Sequence, residues 1–99
     1  MNFDFSGKTV LITAGSKGIG FALANNFAKC NANVVICSRD NKNLKIAKKK
    51  ILSKNKKAKI LALKFDISKT DEIDNLFKKI EKHYLTSVNI LINNSGGPP

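Results

Sequence analysis

Residues 13–20 have the glycine-rich sequence Thr-Ala-Gly-Ser-Lys-Gly-Ile-Gly. It follows a short apolar and β-branched run, Thr9 to Thr13, that predicts a strand, and it precedes a predicted helix from Gly18 to about Lys29. Glycine lacks the Cβ atom that would hold an anion away from the backbone, and the N–H groups at the start of a helix point toward such an anion. The placement therefore predicts a phosphate-binding loop between a strand and a helix.

Further strands and helices follow in regular alternation. Val34 to Cys37 is a continuous apolar run, typical of a strand that is covered on both faces. Strands are also predicted from Lys59 or Ile60 through Phe65 and from Val88 to Ile92, each preceded by a helix. The order β-α-β-α-β-α-β predicts a doubly wound (Rossmann) α/β fold, with four parallel strands and three intervening helices that cover both faces.

Both later helices have candidate start signals. Asp40 is a candidate N-cap for a helix in which Leu44, Ala47 and Ile51 share one face. Ser68, with Asp71 three residues later, predicts a capping box at the start of the next helix. The apolar face of that helix consists of Ile73, Leu76, Phe77, Ile80 and Tyr84.

The charge of the chain is concentrated in one segment. The chain has 99 residues, enough for one domain, and a formal net charge of +11. Nine of the eighteen basic residues lie between Lys42 and Lys59, an interval without an acidic residue. A basic nucleic-acid-binding protein is therefore an alternative, but the segment has no aromatic residue on which a base could stack. A lysine-rich, solvated helix face explains the cluster better, and we expect no nucleic-acid partner.

The cysteines and the N-terminal region indicate the compartment. Cys30 and Cys37 form no C-x-x-C pair and have no partner His at a metal-binding spacing, which fits a reducing compartment better than a disulfide or zinc site. The apolar run Val10 to Ile12 is too short for a signal peptide or a membrane span. We therefore expect a cytoplasmic, soluble protein with no metal site and no membrane partner.

The predicted strand ends form a set that can be tested together. In a doubly wound fold the ligand lies at the carboxyl ends of the strands. Those ends are polar, glycine-rich or short, and their residues are not typical of a hydrophobic core. They are residues 13–20, Ser38 with Arg39, Asp66 with Ile67, and residues 93–96. The sequence predicts that they surround one ligand.

At these positions the chain resembles the short-chain dehydrogenase/reductase family, and the resemblance covers its whole length. Residues 13–20 are similar to the family's Thr-Gly-x-x-x-Gly-x-Gly loop, and Asn93-Asn94-Ser95-Gly96 is similar to its Asn-Asn-Ala-Gly. Asp66 falls where the family has an Asp that meets the adenine ring. The ending Gly-Gly-Pro-Pro further resembles that of 3-oxoacyl carrier-protein reductase-like members.

Two positions depart from the family pattern. Ser95 stands where alanine is usual, and Ala14 stands where the first glycine of the loop is usual. We expect Ala14 to have a φ below zero and room for its methyl group, because an alanine rarely adopts a positive φ.

The resemblance implies that the strand ends bind a nicotinamide dinucleotide. The implied cofactor-binding residues are Thr13, Gly15, Ser16, Lys17, Gly18, Ile19, Gly20, Ser38, Arg39, Asp66, Ile67, Asn93, Ser95 and Gly96.

Charge after the second strand favours NADP(H) over NAD(H). NAD-binding folds have an acidic residue there for the ribose 2′-hydroxyl, whereas NADP binders need a cation for the 2′-phosphate. Arg39 matches a phosphate bidentately, Ser38 can add a hydrogen bond, and Lys17 adds a second positive charge. Asp40 follows Arg39 directly, but a role as helix cap explains it better.

The catalytic pattern of the family is not found in this chain. That pattern is Tyr-x-x-x-Lys, in which the cation lowers the pKa of the phenol one helical turn away. Tyr84 is the single tyrosine, and Val88 follows it four residues later, so no catalytic residue is predicted. In the family the catalytic Ser, Tyr and Lys lie beyond the Asn-Asn-Ala-Gly motif.

We therefore expect residues 1–99 to be the N-terminal part of a single dinucleotide-binding domain, without its catalytic C-terminal part and inactive alone. A non-catalytic NADP-binding regulatory module shares every motif and stays an open alternative. The parent enzyme is expected to be a homo-oligomer, and an open edge at the fourth strand predicts self-association of this chain.

Overall fold

The computed structural model describes residues 3–66 and 68–94 of the chain. The predictions for Ile67, Ser95 and Gly96 lie outside these described residues. The elements are, in chain order, β1 (Thr9–Thr13), α1 (Gly18–Lys29), β2 (Asn33–Ser38), α2 (Asn41–Lys54), β3 (Lys59–Lys64), a short 3₁₀ helix (Thr70–Glu72), α3 (Ile73–Tyr84) and β4 (Ile90–Ile92).

The four strands form one parallel sheet in the order β3-β2-β1-β4. In this register Thr13 at the end of β1 lies opposite Cys37 in β2, and Ser38 at the end of β2 lies opposite Lys64 in β3. The strand order changes direction between β1 and β4, and this is the point at which doubly wound folds bind their ligands. The predicted α/β fold class is confirmed.

The core has two halves, one on each face of the sheet. Because side chains alternate along a strand, Val10 and Ile12 of β1 pack on the side of α1 and α2, whereas Leu11 packs on the side of α3. Every residue of β1 is buried, as a central strand with both faces covered requires. The predicted apolar faces of α2 and α3 are confirmed.

Helix α3 is tied to the sheet by its last residue. The hydroxyl of Tyr84 donates a 2.9 Å hydrogen bond to the backbone oxygen of Val34 in β2. Burial raises the pKa of this phenol above its ordinary value. Tyr84 therefore belongs to the packing of the fold, as its position on the apolar face predicts.

The start of α3 differs from the prediction. Ser68 does not cap a helix, because both its backbone N–H and its hydroxyl donate to Oδ1 of Asp66, at 3.0 and 2.7 Å. This turn of Asp66 competes with capping, and the chain enters α3 through the 3₁₀ helix Thr70–Glu72 instead. The predicted capping box of Ser68 and Asp71 is wrong.

The strand β4 begins later than the predicted Val88. Asn89 pairs with Thr9 through its side chain as well as its backbone: Thr9 N–H donates to Oδ1 of Asn89 at 2.8 Å, and Asn89 N–H donates to the Thr9 oxygen at 2.9 Å. The ladder proper starts at Ile90. Leu91 of this strand is 56% exposed.

The backbone of Ala14 is in the left-handed region, with a φ of +52°. The expectation of a φ below zero at this position is wrong. The chain must leave β1 and turn into the loop here, and the turn is held because the next N–H, that of Gly15, donates to the backbone oxygen of Cys37 at 3.3 Å. The sequence thus has an alanine where the backbone favours glycine, at a conformational cost of about 1–2 kcal/mol.

Replacing this alanine by glycine should stabilise the chain. We expect Ala14→Gly to raise the free energy of unfolding in urea by about 1 kcal/mol, because glycine adopts a positive φ without strain. The control is Ala47→Gly in the buried face of α2, which should lower the same quantity by at least about 1 kcal/mol. An Ala14→Gly protein that is less stable than the natural chain would contradict this account of the turn.

Candidate functional site

A cavity of about 390 Å³ lies at the carboxyl edge of the sheet. All four strands contribute to it, either by their last residues or by the residues that follow them. Of the predicted site residues, Thr13, Ser38, Arg39 and Asp66 line this cavity. Its full lining is Thr13, Ala14, Cys37, Ser38, Arg39, Asp40, Phe65, Asp66, Ser68 and Asn94. The parallel register thus brings residues far apart in sequence to one site.

The three glycines of the 13–20 loop are needed for three different reasons. A Cβ atom on Gly15 would lie 2.6 Å from Cγ2 of Ile36, so this glycine lets the loop pack on β2. A Cβ atom on Gly20 would lie 2.5 Å from the backbone oxygen of Ala14 and 2.8 Å from Nδ2 of Asn94. Gly18 has open space around it but a φ of +57°, so its requirement is conformational. Two of the three glycines thus serve packing within the protein.

The start of α1 is free to receive an anion. Lys17 occupies the N-cap position with extended backbone, and its side chain makes no capping hydrogen bond. No acidic residue lies in the first turn of the helix, so the partial positive charge of the N-terminus is not neutralised from within it. Lys17, Gly18 and Ile19 are exposed, whereas Ser16 is half-buried. The cavity lining includes Thr13 and Ala14 of this loop but not the predicted site residues Gly15 to Gly20.

Thr13 joins the end of the central strand β1 to the end of its neighbour β4. Its hydroxyl oxygen accepts the N–H of Asn94 at 2.8 Å, and its hydrogen has three acceptors in reach. These acceptors are Oδ1 of Asn93 at 3.1 Å and the backbone oxygens of Asn94 at 3.1 Å and Ile92 at 3.4 Å. The side chain of Asn94 also donates to the Ala14 oxygen at 3.4 Å. The asparagines therefore tie strand-end loops together and fix the floor of the site.

The end of β2 presents a cation to the cavity. Arg39 is exposed, and Ser38 before it is half-buried. The Ser38 hydroxyl oxygen accepts the N–H of Asp40 at 3.2 Å, which leaves its own proton available to a ligand. Asp40 also lines the cavity, but its carboxylate caps α2 by accepting from the N–H of Asn43 at 3.2 Å. The predicted capping role of Asp40 is confirmed.

Asp66 lies on the cavity as an ionised group. The hydroxyl and the N–H of Ser68 both donate to its Oδ1, and these bonds hold the pKa of the carboxyl below its ordinary value. The positive charge of Arg39 lowers that pKa further, so the two side chains share one electrostatic environment. Both bonds from Ser68 go to the same oxygen, and neither engages Oδ2.

Some lining residues were not predicted as site residues, Cys37 and Phe65 among them. Cys37 is the last buried residue of β2, and burial raises the pKa of its thiol to about 11, against a smaller opposing effect of the Ala14 N–H. At neutral pH the thiol is therefore protonated and unreactive. The sequence places Cys37 in the buried second strand and Phe65 at the end of the third strand. The signal that could have found them is their place at the carboxyl end of a strand.

Within residues 3–66 and 68–94, no group of three or more His, Cys, Asp and Glu side chains is arranged to hold a metal ion. None of the helices in that part of the chain has both the length and the apolar character needed to cross a bilayer.

Comparisons with known proteins agree with this geometry. Among solved structures, an NADPH-bound short chain oxidoreductase of Pseudomonas aeruginosa superposes with a TM-score of 0.89 at 27% identity, over 96% of this chain and 37% of that one. A metagenomic short-chain oxidoreductase in complex with NADP superposes with a TM-score of 0.83 at 26% identity, over 94% of this chain and 41% of that one.

Curated relatives match by sequence over nearly the whole chain. A short chain dehydrogenase/reductase of Gibberella zeae is 38% identical over 92 residues, which are 93% of this chain and 33% of that protein. The 5-keto-D-gluconate 5-reductase of Escherichia coli is 32% identical over 94 residues, 95% of this chain and 36% of that enzyme. The chain thus spans about a third of the length of these relatives.

The family model described as short chain dehydrogenase matches residues 8–99. This match includes the glycine-rich loop, the four strand ends and the Asn93-Asn94 segment whose geometry is given above. The chain belongs to the short-chain dehydrogenase family of oxidoreductases.

Proposed function

We propose that the cavity at the carboxyl edge of the sheet binds NADP(H) in preference to NAD(H). The observation that carries this proposal is the exposed Arg39 at the end of β2, on the cavity and next to a serine hydroxyl that has a free proton. A guanidinium matches the 2′-phosphate of NADP in charge and in geometry. NAD-binding folds instead use a carboxylate there, and the carboxylate of Asp40 is engaged at the start of α2.

The remaining predicted residues suit the other parts of the cofactor. The uncapped start of α1, with Lys17 beside it, provides N–H groups and positive charge for the pyrophosphate. Asp66 has a carboxylate oxygen not used by Ser68 that could accept from the adenine. Asn93 directly follows β4, and we propose that its amide contacts a ribose of the cofactor. The NADP- and NADPH-bound relatives support a nicotinamide dinucleotide as the ligand.

The reaction we propose for the whole enzyme is hydride transfer between NADP(H) and a carbonyl or alcohol. The nicotinamide supplies or accepts the hydride when the cofactor is bound, and this chain's residues bind and orient it. The curated relatives are described by different substrates, among them 5-keto-D-gluconate and farnesol. The similarity to 3-oxoacyl carrier-protein reductases stays a prediction from the ending of the sequence.

We propose that residues 1–99 are the N-terminal, cofactor-binding part of one domain, and that the family's catalytic groups lie outside them. The geometry of Tyr84 supports this division, because the hydroxyl of the single tyrosine is bonded to Val34 within the fold. We further propose a cytoplasmic location, for which the two free cysteines are the support.

Partners other than the cofactor are also proposals. The lysines of α2 lie outside the buried face of that helix, which packs in the core, and we propose that they form a solvated surface without a nucleic-acid partner. We propose that the parent enzyme is a homo-oligomer. The exposed Leu91 of β4 supports self-association of this chain, which should appear as a concentration-dependent mass in sedimentation experiments.

The cofactor preference should depend on Arg39. We expect the chain to bind NADPH more tightly than NADH, and Arg39→Ala to weaken NADPH binding about 10- to 100-fold, since a charged hydrogen-bonded pair contributes about 1.5–3 kcal/mol. NADH binding should change less than about two-fold. Isothermal titration of both cofactors against both proteins measures the four dissociation constants.

The matched control is Lys29→Ala, which removes an exposed cation at the far end of α1 and should leave both constants unchanged. Binding of neither cofactor by the natural chain would refute a dinucleotide site. Tighter binding of NADH would refute the role given to Arg39.

The chain alone should not turn over substrate. We expect no NADPH oxidation above the buffer rate with carbonyl substrates of the family, because the proton donor of the reaction is not among these residues. Absorbance of NADPH followed over time measures this. Sustained, protein-dependent oxidation by pure material would contradict the proposed division.

A further inference from the structure

A second carboxylate, that of Asp40, lies on the wall of the cavity beside the arginine. Asp40 directly follows Arg39, and both line the same space. An unrestrained carboxylate at this place would oppose a 2′-phosphate by charge repulsion. It could also accept hydrogen bonds from ribose hydroxyls, which is how a carboxylate near this position selects NAD. The preference of the site therefore depends on where the Asp40 carboxylate is held.

Both oxygens of that carboxylate are held by one residue. The backbone N–H of Asn43 donates to Oδ1 of Asp40 at 3.2 Å, and the side-chain amide of Asn43 donates to Oδ2 at 2.9 Å. The backbone N–H of Asp40 is bonded to the Ser38 hydroxyl, so the residue is fixed on both sides. The carboxylate is thereby directed to the start of α2.

Asn43 occupies the third position of α2, where a capping box would have Glu or Gln. A glutamate there would add a negative charge close to the anion site, whereas an asparagine donates a hydrogen bond and adds no charge. The side-chain amide is needed for Oδ2 only, because the backbone bond to Oδ1 forms with any residue except proline at position 43. The hydrogen bond to Oδ2 of Asp40 therefore depends on the side chain of Asn43, whereas the bond to Oδ1 does not.

We propose that Asn43 is a positioning residue for cofactor specificity: by holding Oδ2 of Asp40 at the start of α2, it keeps this carboxylate from the 2′-phosphate. The inference rests on the proposed NADP(H) site and adds to it a residue that does not line the cavity. In this account the NADP(H) preference has two components, the cation of Arg39 and the restraint of its acidic neighbour.

The test is a double-mutant cycle on Asp40 and Asn43 with the 99-residue chain. The measured quantity is the ratio of the NADH to the NADPH dissociation constant, obtained by titration. Asn43→Ala should lower this ratio about three- to ten-fold, because the freed carboxylate repels the phosphate and can bind ribose hydroxyls. The backbone cap remains in this variant, so the helix should persist, as circular dichroism would verify.

The second part of the cycle is Asp40→Asn, which removes the negative charge of the carboxylate but keeps a capping side chain at the start of α2. Asp40→Asn retains a good N-cap and should change the ratio less than about three-fold in the natural background, where the carboxylate is restrained. In the Asn43→Ala background the same substitution should restore the ratio to near that of the natural chain. The matched control is Asn41→Ala, which removes an exposed amide from the same helical turn and should leave the ratio unchanged.

The outcomes separate this inference from the proposed function. If the natural chain prefers NADPH but Asn43→Ala weakens both cofactors equally, or changes neither, the role of Asn43 is refuted and the NADP(H) site stands. A lowered ratio that persists in the double variant also refutes it, since the effect would not depend on the charge of Asp40. Failure of the natural chain to bind either cofactor refutes both.

Discussion

The parallel pairing of β1 with β2 on one side and β4 on the other is the constraint on which the rest of the structure depends. Because β3 also pairs with β2 in the parallel direction, the carboxyl ends of all four strands meet at one edge of the sheet. At this edge the Thr13 hydroxyl forms hydrogen bonds to the segment that follows β4. The segments that follow β1, β2 and β3, which contain the glycine loop, Arg39 and Asp66, therefore lie next to one another. This arrangement follows from the strand pairing and needs no contact between helices.

Much of this arrangement could be predicted from the sequence, because it follows from residue patterns with a defined period. The buried run of β2, the cap of Asp40 and the apolar face of α3 are all found as predicted. The alternation of strands and helices, with right-handed crossovers, predicts the strand order and the meeting of the strand ends at one edge. These are features in which local preference and tertiary packing agree.

The predictions are wrong where a residue can form either of two local structures, or where tertiary contacts override the backbone preference of a residue. Ser68 could either cap a helix or form a turn with Asp66. Its two hydrogen bonds to Asp66 show that it forms the turn. Ala14 has a positive φ because the chain must turn there between β1 and the loop, a demand that its residue type does not reveal. Cys37 and Phe65 lie on the cavity only because their strands end there, which the apolar pattern of a strand does not show.

The distribution of charged side chains distinguishes this cavity from the rest of the basic chain. The chain has eighteen cations and seven anions, yet two of those anions, Asp40 and Asp66, line the cavity beside Arg39. Each of the two is restrained by hydrogen bonds from a residue two or three positions later in the chain. Among the described residues that line the cavity, Arg39 therefore carries the positive charge, and the two carboxylates beside it are held in place by hydrogen bonds.

Amide NMR spectra of the chain, recorded during titration with NADPH, would show whether this edge of the sheet binds the cofactor as we propose. We expect saturable shifts at the strand ends, in the loop of residues 13–20, at Arg39 and at Asp66, and smaller shifts at Arg39 when NADH is used. Shifts confined to the lysine-rich side of α2, or no saturable shifts at all, would contradict this proposal.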